Sequence, residues 1–147
     1  MAKDQATYDD VTLILRLYEI RREDKLRAAR GWFFGNFRCK TMEEFGKLCP
    51  PGSDANAHFR QFTSYWEMCA SFVTSGVMNP DLFFSNTREM LVCWERVKPI
   101  ISEARGAFKD PNYLGNLEKC GIQFGEWIVE QKQRLRSSVI AQRRGLE

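Results

Sequence analysis

The fold of this chain is decided by residues 54–105, which read DANAHFRQFTSYWEMCASFVTSGVMNPDLFFSNTREMLVCWERVKPIISEAR. Apolar residues recur in both halves of this stretch at intervals of three and four. The first set is Phe59, Phe62, Trp66, Cys69 and Val73, and the second is Met90, Trp94, Val97, Ile101 and Ala104. This spacing places each set on one face of a helix. The pattern therefore predicts two helices, from about Asp54 to Ser75 and from about Pro80 to Arg105, with Trp66 and Trp94 in the core.

The segment between these two helices has the residues of a tight turn. Gly76 suits the left-handed conformation that commonly ends a helix, and Asn79 suits the N-cap of the next one. Pro80 suits the first helical position, because its missing N–H has no partner there. We therefore expect an antiparallel helical hairpin. Pro99, inside the second helix, is expected to bend the axis without ending the helix.

Similar patterns predict helices before and after this hairpin. A first helix begins near Tyr8, and the sequence leaves open whether it continues to Phe37. Thr41 and Glu44 match a capping box and predict a short helix over Met42–Leu48. A last helix is expected to begin at Asp110–Pro111.

No alternating strand pattern is present, so the predicted fold class is all-α. We expect an antiparallel bundle of four long helices plus one short connecting helix, with residues 1–147 in one domain. A chain of this length can bury a sizeable core, and eleven Phe and four Trp are available to fill it.

Composition indicates a soluble cytoplasmic protein without a membrane span. The chain starts without the apolar run of a signal peptide, and no segment approaches the ~18 apolar residues that a spanning helix needs. Its five cysteines are odd in number and scattered, unlike a disulfide framework. They are Cys39, Cys49, Cys69, Cys93 and Cys120. We expect free thiols, and at Cys69, Cys93 and Cys120 buried ones on apolar helix faces.

The sequence offers little for catalysis or cofactor binding. Its single histidine, His58, is expected to be a partly exposed first-turn residue, and it forms no zinc pattern with Cys39 and Cys49. Nucleophile elbows, phosphate-binding glycine loops and dinucleotide fingerprints are absent from the sequence. We therefore predict no catalytic residue, no metal site and no cofactor.

Two carboxylates of the hairpin form a candidate polar cluster with two arginines. Glu67 and Glu95 each follow a core tryptophan, and Arg60 and Arg105 are placed to pair with them. The favoured interpretation is a set of structural ion pairs at the edge of the core. The alternative is an enzyme or ligand-binding bundle that uses the Glu67/Glu95 region.

The C-terminal segment is a candidate interaction surface. Residues 132–147 are expected to form a basic helix end that projects from the bundle, where exposed apolar residues would need a partner. The surface comprises Arg134, Leu135, Arg136, Val139, Ile140 and Arg143. A second copy of the chain is the simplest partner. The runner-up is a weak nucleic-acid or anionic-surface binder that uses the same basic residues. Because this segment has no aromatic residues on which bases could stack, nucleic acid is the less favoured partner.

A set of hairpin residues resembles a family of small bacterial helical proteins classed as domains of unknown function. The resemblance rests on Phe62-x-x-x-Trp66-Glu67, Gly76, Asn79-Pro80, Trp94, Pro99-Ile100-Ile101 and Arg105, and it covers roughly residues 8 to 130. It implies a helical fold and a bacterial source, but no activity. Together, these features predict a helical domain that acts by binding or assembly rather than by catalysis.

Overall fold

The computed structural model describes residues 3–146, and within them every regular element is a helix. The α-helices are α1 (Tyr8–Arg21), α2 (Asp24–Asn36), α3 (Met42–Leu48), α4 (Asp54–Thr74), α5 (Pro80–Asn86), α6 (Arg88–Val97), α7 (Ile101–Ala107) and α8 (Gly115–Gly145). A 3-10 turn at Lys98–Ile100 joins α6 to α7. The all-α fold class is confirmed.

The N-terminal helix is broken into α1 and α2. The break lies at Arg22 and Glu23, where no proline or glycine marks it. Glu23 has an extended backbone, and its carboxylate accepts a hydrogen bond from the backbone N–H of Leu26 at 3.1 Å. Glu23 thus caps α2, because a side-chain acceptor at this position satisfies one of the helix's free N–H groups.

The turn after α4 has the predicted chemistry. Gly76 has a φ of 82°, the left-handed conformation that glycine adopts without strain. The side-chain oxygen of Asn79 accepts a hydrogen bond from the backbone N–H of Leu82 at 2.9 Å, and Pro80 is the first residue of α5. These local predictions are confirmed.

The second hairpin helix is not continuous from Pro80 to Arg105, as the spacing had suggested. Thr87 interrupts it with a non-helical backbone, and its hydroxyl donates a hydrogen bond to the carbonyl of Phe83 at 2.6 Å. Pro99 lies within the 3-10 turn that separates α6 from α7. Because proline has no N–H for the carbonyl of Glu95, the α-helical bonding is interrupted there, while the chain continues to wind as a helix.

Helix α4 packs most extensively against α2 and α8, and α6 packs mainly against α8. Between α2 and α4, the rings of Phe33 and Phe62 lie 4.5 Å apart, and those of Phe37 and Phe59 lie 5.0 Å apart. The main aromatic contacts of α4 are therefore with α2 rather than with its hairpin partner.

A buried carboxylate ties the start of α1 to the turn before α5. Asp10 is 2 % exposed. Its oxygens accept hydrogen bonds from the backbone N–H groups of Thr7 at 2.7 Å and Asn79 at 3.3 Å, and pair with the Lys3 ammonium at 2.9 Å. Burial raises the pKa of Asp10, but the hydrogen bonds from Thr7, Lys3 and Asn79 outweigh it, and the resulting pKa lies below the usual value.

Helix α8 starts one turn later than predicted. Residues 111–114 form a turn in which Asp110 accepts a hydrogen bond from the backbone N–H of Asn112 at 3.0 Å. Leu114 then adopts a φ of 53°, which is strained for a branched residue, and Gly115 begins the helix. At its other end, every residue from Lys132 to Leu146 is exposed.

Across the part of the chain that the structure describes, none of the helices is both long enough and apolar enough to cross a bilayer.

Candidate functional site

Helix α8 is held at its beginning by a side chain from α4. The carboxylate of Glu67 accepts hydrogen bonds from the backbone N–H of Asn116 at 3.1 Å, the Asn116 side-chain amide at 3.0 Å, and the backbone N–H of Leu117 at 2.7 Å. Leu114, the N-cap residue, offers no side-chain acceptor. Glu67 therefore caps α8 from another helix, where a negative charge also interacts favourably with the helix dipole.

The predicted polar cluster is divided between different parts of the surface. Arg60 and Glu67 line one surface groove of about 610 Å³ with Tyr113. Arg105 donates to the carbonyl of Tyr113 at 3.1 Å and pairs with Glu118 at 3.1 Å, while Glu95 is exposed on α6. Within residues 3–146, no hydrogen bond joins Glu67 to Glu95, and the partners of Glu67 are Asn116 and Leu117. The contacts of Glu67 hold the start of α8, and those of Arg105 hold the turn at Tyr113 and the first turns of the same helix.

The single histidine and the five cysteines lie in or beside the hydrophobic core. His58 is half-buried and stacks on Trp32, with ring centroids 6.0 Å apart. All five thiols are free and buried. Burial raises the pKa of Cys49 to about 11 and those of Cys69 and Cys120 to about 12. Such thiols are poor nucleophiles. Residues 3–146 contain no group of three His, Cys, Asp or Glu side chains placed to hold a metal.

The long exposed face of α8 is the most distinctive surface of the molecule. One line of residues along it has intervals of four and three, namely Glu118, Ile122, Gly125, Val129, Lys132, Arg136, Val139 and Arg143. We call this line the outer seam. Ile122 is 56 % exposed, Val129 54 % and Val139 47 %. Intervals of four and three keep a line of residues on one side of a helix, as in a coiled coil.

The predicted interaction surface lies partly on the outer seam. Arg136, Val139 and Arg143 belong to the seam, and Leu135 and Ile140 lie on either side of it. Leu135, Arg136, Val139 and Ile140 together line an apolar surface depression of about 340 Å³. Sequence reasoning did not name the half of the seam that lies over the bundle. The spacing of Leu117, Cys120 and Phe124 nevertheless places Ile122 and Val129 on the opposite side of the helix, and that signal could have found them.

Comparison with known proteins identifies the family. A model of the family described as a domain of unknown function (DUF4760) matches residues 6–123, so the chain belongs to this family. The hairpin residues led us to expect a family classed as a domain of unknown function, and this expectation is confirmed. No curated protein matches the chain, and no solved structure matches it.

Proposed function

We propose that this member of the DUF4760 family acts by assembly, and that two copies of the chain pair through the outer seam of α8. The observation that carries the proposal is the exposure of Ile122, Val129 and Val139 on one line of a single helix. Exposed apolar residues in such a line are typical of a surface that a partner helix covers.

The spacing of the outer seam favours an antiparallel pair. Its intervals, 4, 3, 4, 3, 4, 3 and 4, read the same in both directions. Two copies running in opposite directions therefore place each seam residue opposite another seam residue. The resulting pairs are Glu118 with Arg143, Ile122 with Val139, Gly125 with Arg136, and Val129 with Lys132.

The chemistry of these four pairs is complementary. Glu118, which already pairs with Arg105 of its own chain, meets a second cation. Ile122 meets another aliphatic side chain. Gly125 has open space around its Cα, with no atom within 4 Å of where a Cβ would stand, so the long side chain of Arg136 fits over it. Val129 lies against the aliphatic stem of Lys132, whose ammonium extends to water. In this register, no basic seam residue faces another.

A cross-linking experiment tests the register. In the Ile122→Cys/Val139→Cys variant, the two new thiols of opposite copies would be neighbours, and mild oxidation should give a covalent dimer. Ile122→Cys alone should not cross-link. In the antiparallel register, position 122 of one copy lies opposite position 139 of the other, so the two copies of position 122 are about 26 Å apart. The five native thiols are buried and leave the background low. A covalent dimer from Ile122→Cys alone would show parallel pairing and contradict the proposed register.

Sedimentation equilibrium tests the assembly itself. A single helix pair gives a small interface, so the full chain should shift from monomer to dimer between about 1 and several hundred micromolar. Val139→Asp and Arg143→Glu should each weaken the dimer. Their matched controls are Ser138→Asp and Arg144→Glu, which place the same charges on adjacent exposed residues off the seam.

Two results would contradict the assembly proposal. One is a monomer throughout this concentration range. The other is equal weakening by the seam variants and by their controls. A shift that occurs only when nucleic acid is added at low salt would instead support binding through the basic residues at positions 132–144.

A further inference from the structure

A cavity on another face of the molecule has the character of a small-molecule site. It has a volume of about 320 Å³ and opens between α1, α4 and the junction of α5 and α6. Its apolar wall is lined from α1 by Ile14, Leu15, Leu17 and Tyr18, and from α4 by Tyr65 and Trp66. Leu15 is 57 % exposed and Tyr18 54 %. Small-molecule sites are typically concave and mostly apolar, with volumes of about 300 to 1,000 Å³.

A charged group that reaches this cavity through Arg21 carries an excess of positive charge. Arg21 lines the cavity and donates to the carboxylate of Glu89 at 3.1 Å. Arg30 donates to the same oxygen at 2.7 Å. The Glu89 side chain is only 10 % exposed. Two guanidinium groups thus share one nearly buried carboxylate. Because a guanidinium carries five N–H donors, Arg21 retains donors for a further acceptor.

The cavity wall also contains a tryptophan ring that contacts Arg21. Trp66 is 1 % exposed, and its indole N–H finds no acceptor within residues 3–146. Its ring lies beneath the Arg21 guanidinium, 5.2 Å from centroid to Cζ. Because the indole nitrogen is itself buried, a ligand at Arg21 would affect Trp66 through the face of its ring rather than by accepting that N–H bond.

We propose that this cavity binds a small amphiphilic monoanion, with an apolar body between α1 and α4 and a carboxylate at Arg21. The apolar wall accounts for the body of the ligand. The unused donors of Arg21 and the positive charge left where Arg21 and Arg30 share Glu89 account for the anionic head. This site is independent of the outer seam, which lies on α8.

Nuclear magnetic resonance with a matched set of probes tests the proposal. The ¹⁵N spectrum of the chain contains one indole resonance for each of its four tryptophans, and Trp66→Phe identifies that of Trp66. Octanoate should move this resonance in a saturable manner. Octylamine and octanol carry the same apolar chain with a cationic and a neutral head, and each should bind at least about tenfold more weakly.

Two pairs of variants locate the site. Leu15→Asp places a carboxylate on the exposed wall of the cavity and should weaken octanoate binding at least about tenfold. Val11→Asp adds the same charge to an exposed position of α1 outside the cavity, and binding should be unchanged. Arg21→Gln removes the cation and should also weaken binding, whereas Arg21→Lys should retain most of it.

Three results would overturn the proposal. The first is a Trp66 resonance that does not move at millimolar octanoate. The second is octylamine binding as well as octanoate. The third is equal effects of Leu15→Asp and Val11→Asp. Far-ultraviolet circular dichroism of each variant shows whether the fold is intact, so that lost binding is not confused with unfolding.

Discussion

The indole ring of Trp94 on α6 occupies the space in which a Cβ of residue 121 on α8 would lie, and residue 121 is a glycine. Both residues are buried. The absence of a side chain at Gly121 therefore allows α6 and α8 to approach as closely as they do. Such a contact joins two helices that are distant in the sequence, and it fixes the position of a large core aromatic.

Gly121→Ala should destabilise the protein, because the new methyl group must displace the Trp94 ring. Overpacking of this kind typically costs about 1 to 3 kcal/mol. Gly31→Ala in α2 is the matched control. The structure leaves open space where its Cβ would stand, and alanine should stabilise that helix by about 0.5 to 1 kcal/mol. Chemical denaturation of both variants measures the difference, and equal effects would contradict the close contact.

Glu67→Ala should destabilise the protein by about 2 to 3 kcal/mol, because it leaves the first N–H groups of α8 without their charged acceptor. Glu95→Ala removes the other carboxylate of the predicted polar cluster, which is exposed, and should change the free energy of unfolding by less than about 0.5 kcal/mol. Denaturant titration of both variants makes the comparison. A large effect at Glu95 would mean that the two carboxylates act together after all.

The contrast between Glu67 and Gly76 shows what a sequence reveals about this fold. Gly76, Asn79 and Pro80 act through their own backbone and their nearest neighbours, so their roles can be predicted from local chemistry. Glu67 contacts a backbone about 50 residues later in the chain. Its role depends on where the turn at residues 111–114 places the start of α8. The residues around Glu67 in the sequence carry no signal of that position.

The broken helices show a second limit. Apolar spacing predicted the correct buried faces of α4 and α6, because Trp66 and Trp94 are both buried. The interruptions at Glu23 and Thr87 depend on side chains that bond to nearby backbone groups. Glutamate and threonine are also ordinary residues inside helices, so sequence alone did not distinguish the two roles.

Lys109→Gly should stabilise the protein by about 1 kcal/mol. Lys109 follows the last turn of α7 with a φ of 54°. The backbone N–H of Asp110 donates to the carbonyl of Arg105 at 3.0 Å, and that of Lys109 to Gly106 at 3.2 Å. This is a Schellman motif, in which glycine avoids the cost of the left-handed conformation. A lower melting temperature for Lys109→Gly than for the parent chain would contradict this assignment.

Asp10→Asn should change how stability depends on pH. Because the native pKa of Asp10 is lowered, its carboxylate stabilises the fold above about pH 4, and this contribution is lost as the pH falls through the native pKa. Asparagine should lower stability at pH 7 by about 1 to 3 kcal/mol and reduce its dependence on pH in acid. Asp9→Asn alters the adjacent exposed carboxylate and should change the free energy of unfolding at pH 7 by less than about 0.5 kcal/mol.

The thiols should be unreactive in the native protein. Burial raises the pKa of all five, so almost no thiolate is present at pH 8. A disulfide reagent should label the native chain slowly and label every thiol in guanidinium. Above about pH 8.5 the unfolded chain releases thiol protons that the folded chain retains, so the free energy of unfolding should fall as the pH rises. Rapid labelling of any native thiol would contradict its burial.

The length of α8 also gives it a mechanical property. The helix runs 31 residues without interruption, a length of about 46 Å, and its packing against the core extends as far as Ile128. The exposed turns from Lys132 onward project about 20 Å further, so a bend of about 10° near Lys132 would displace the tip by about 3 Å. Helix α8 is thus a lever whose fulcrum is the edge of the packed core. A change in packing at that edge would redirect the arginines at the tip without touching them.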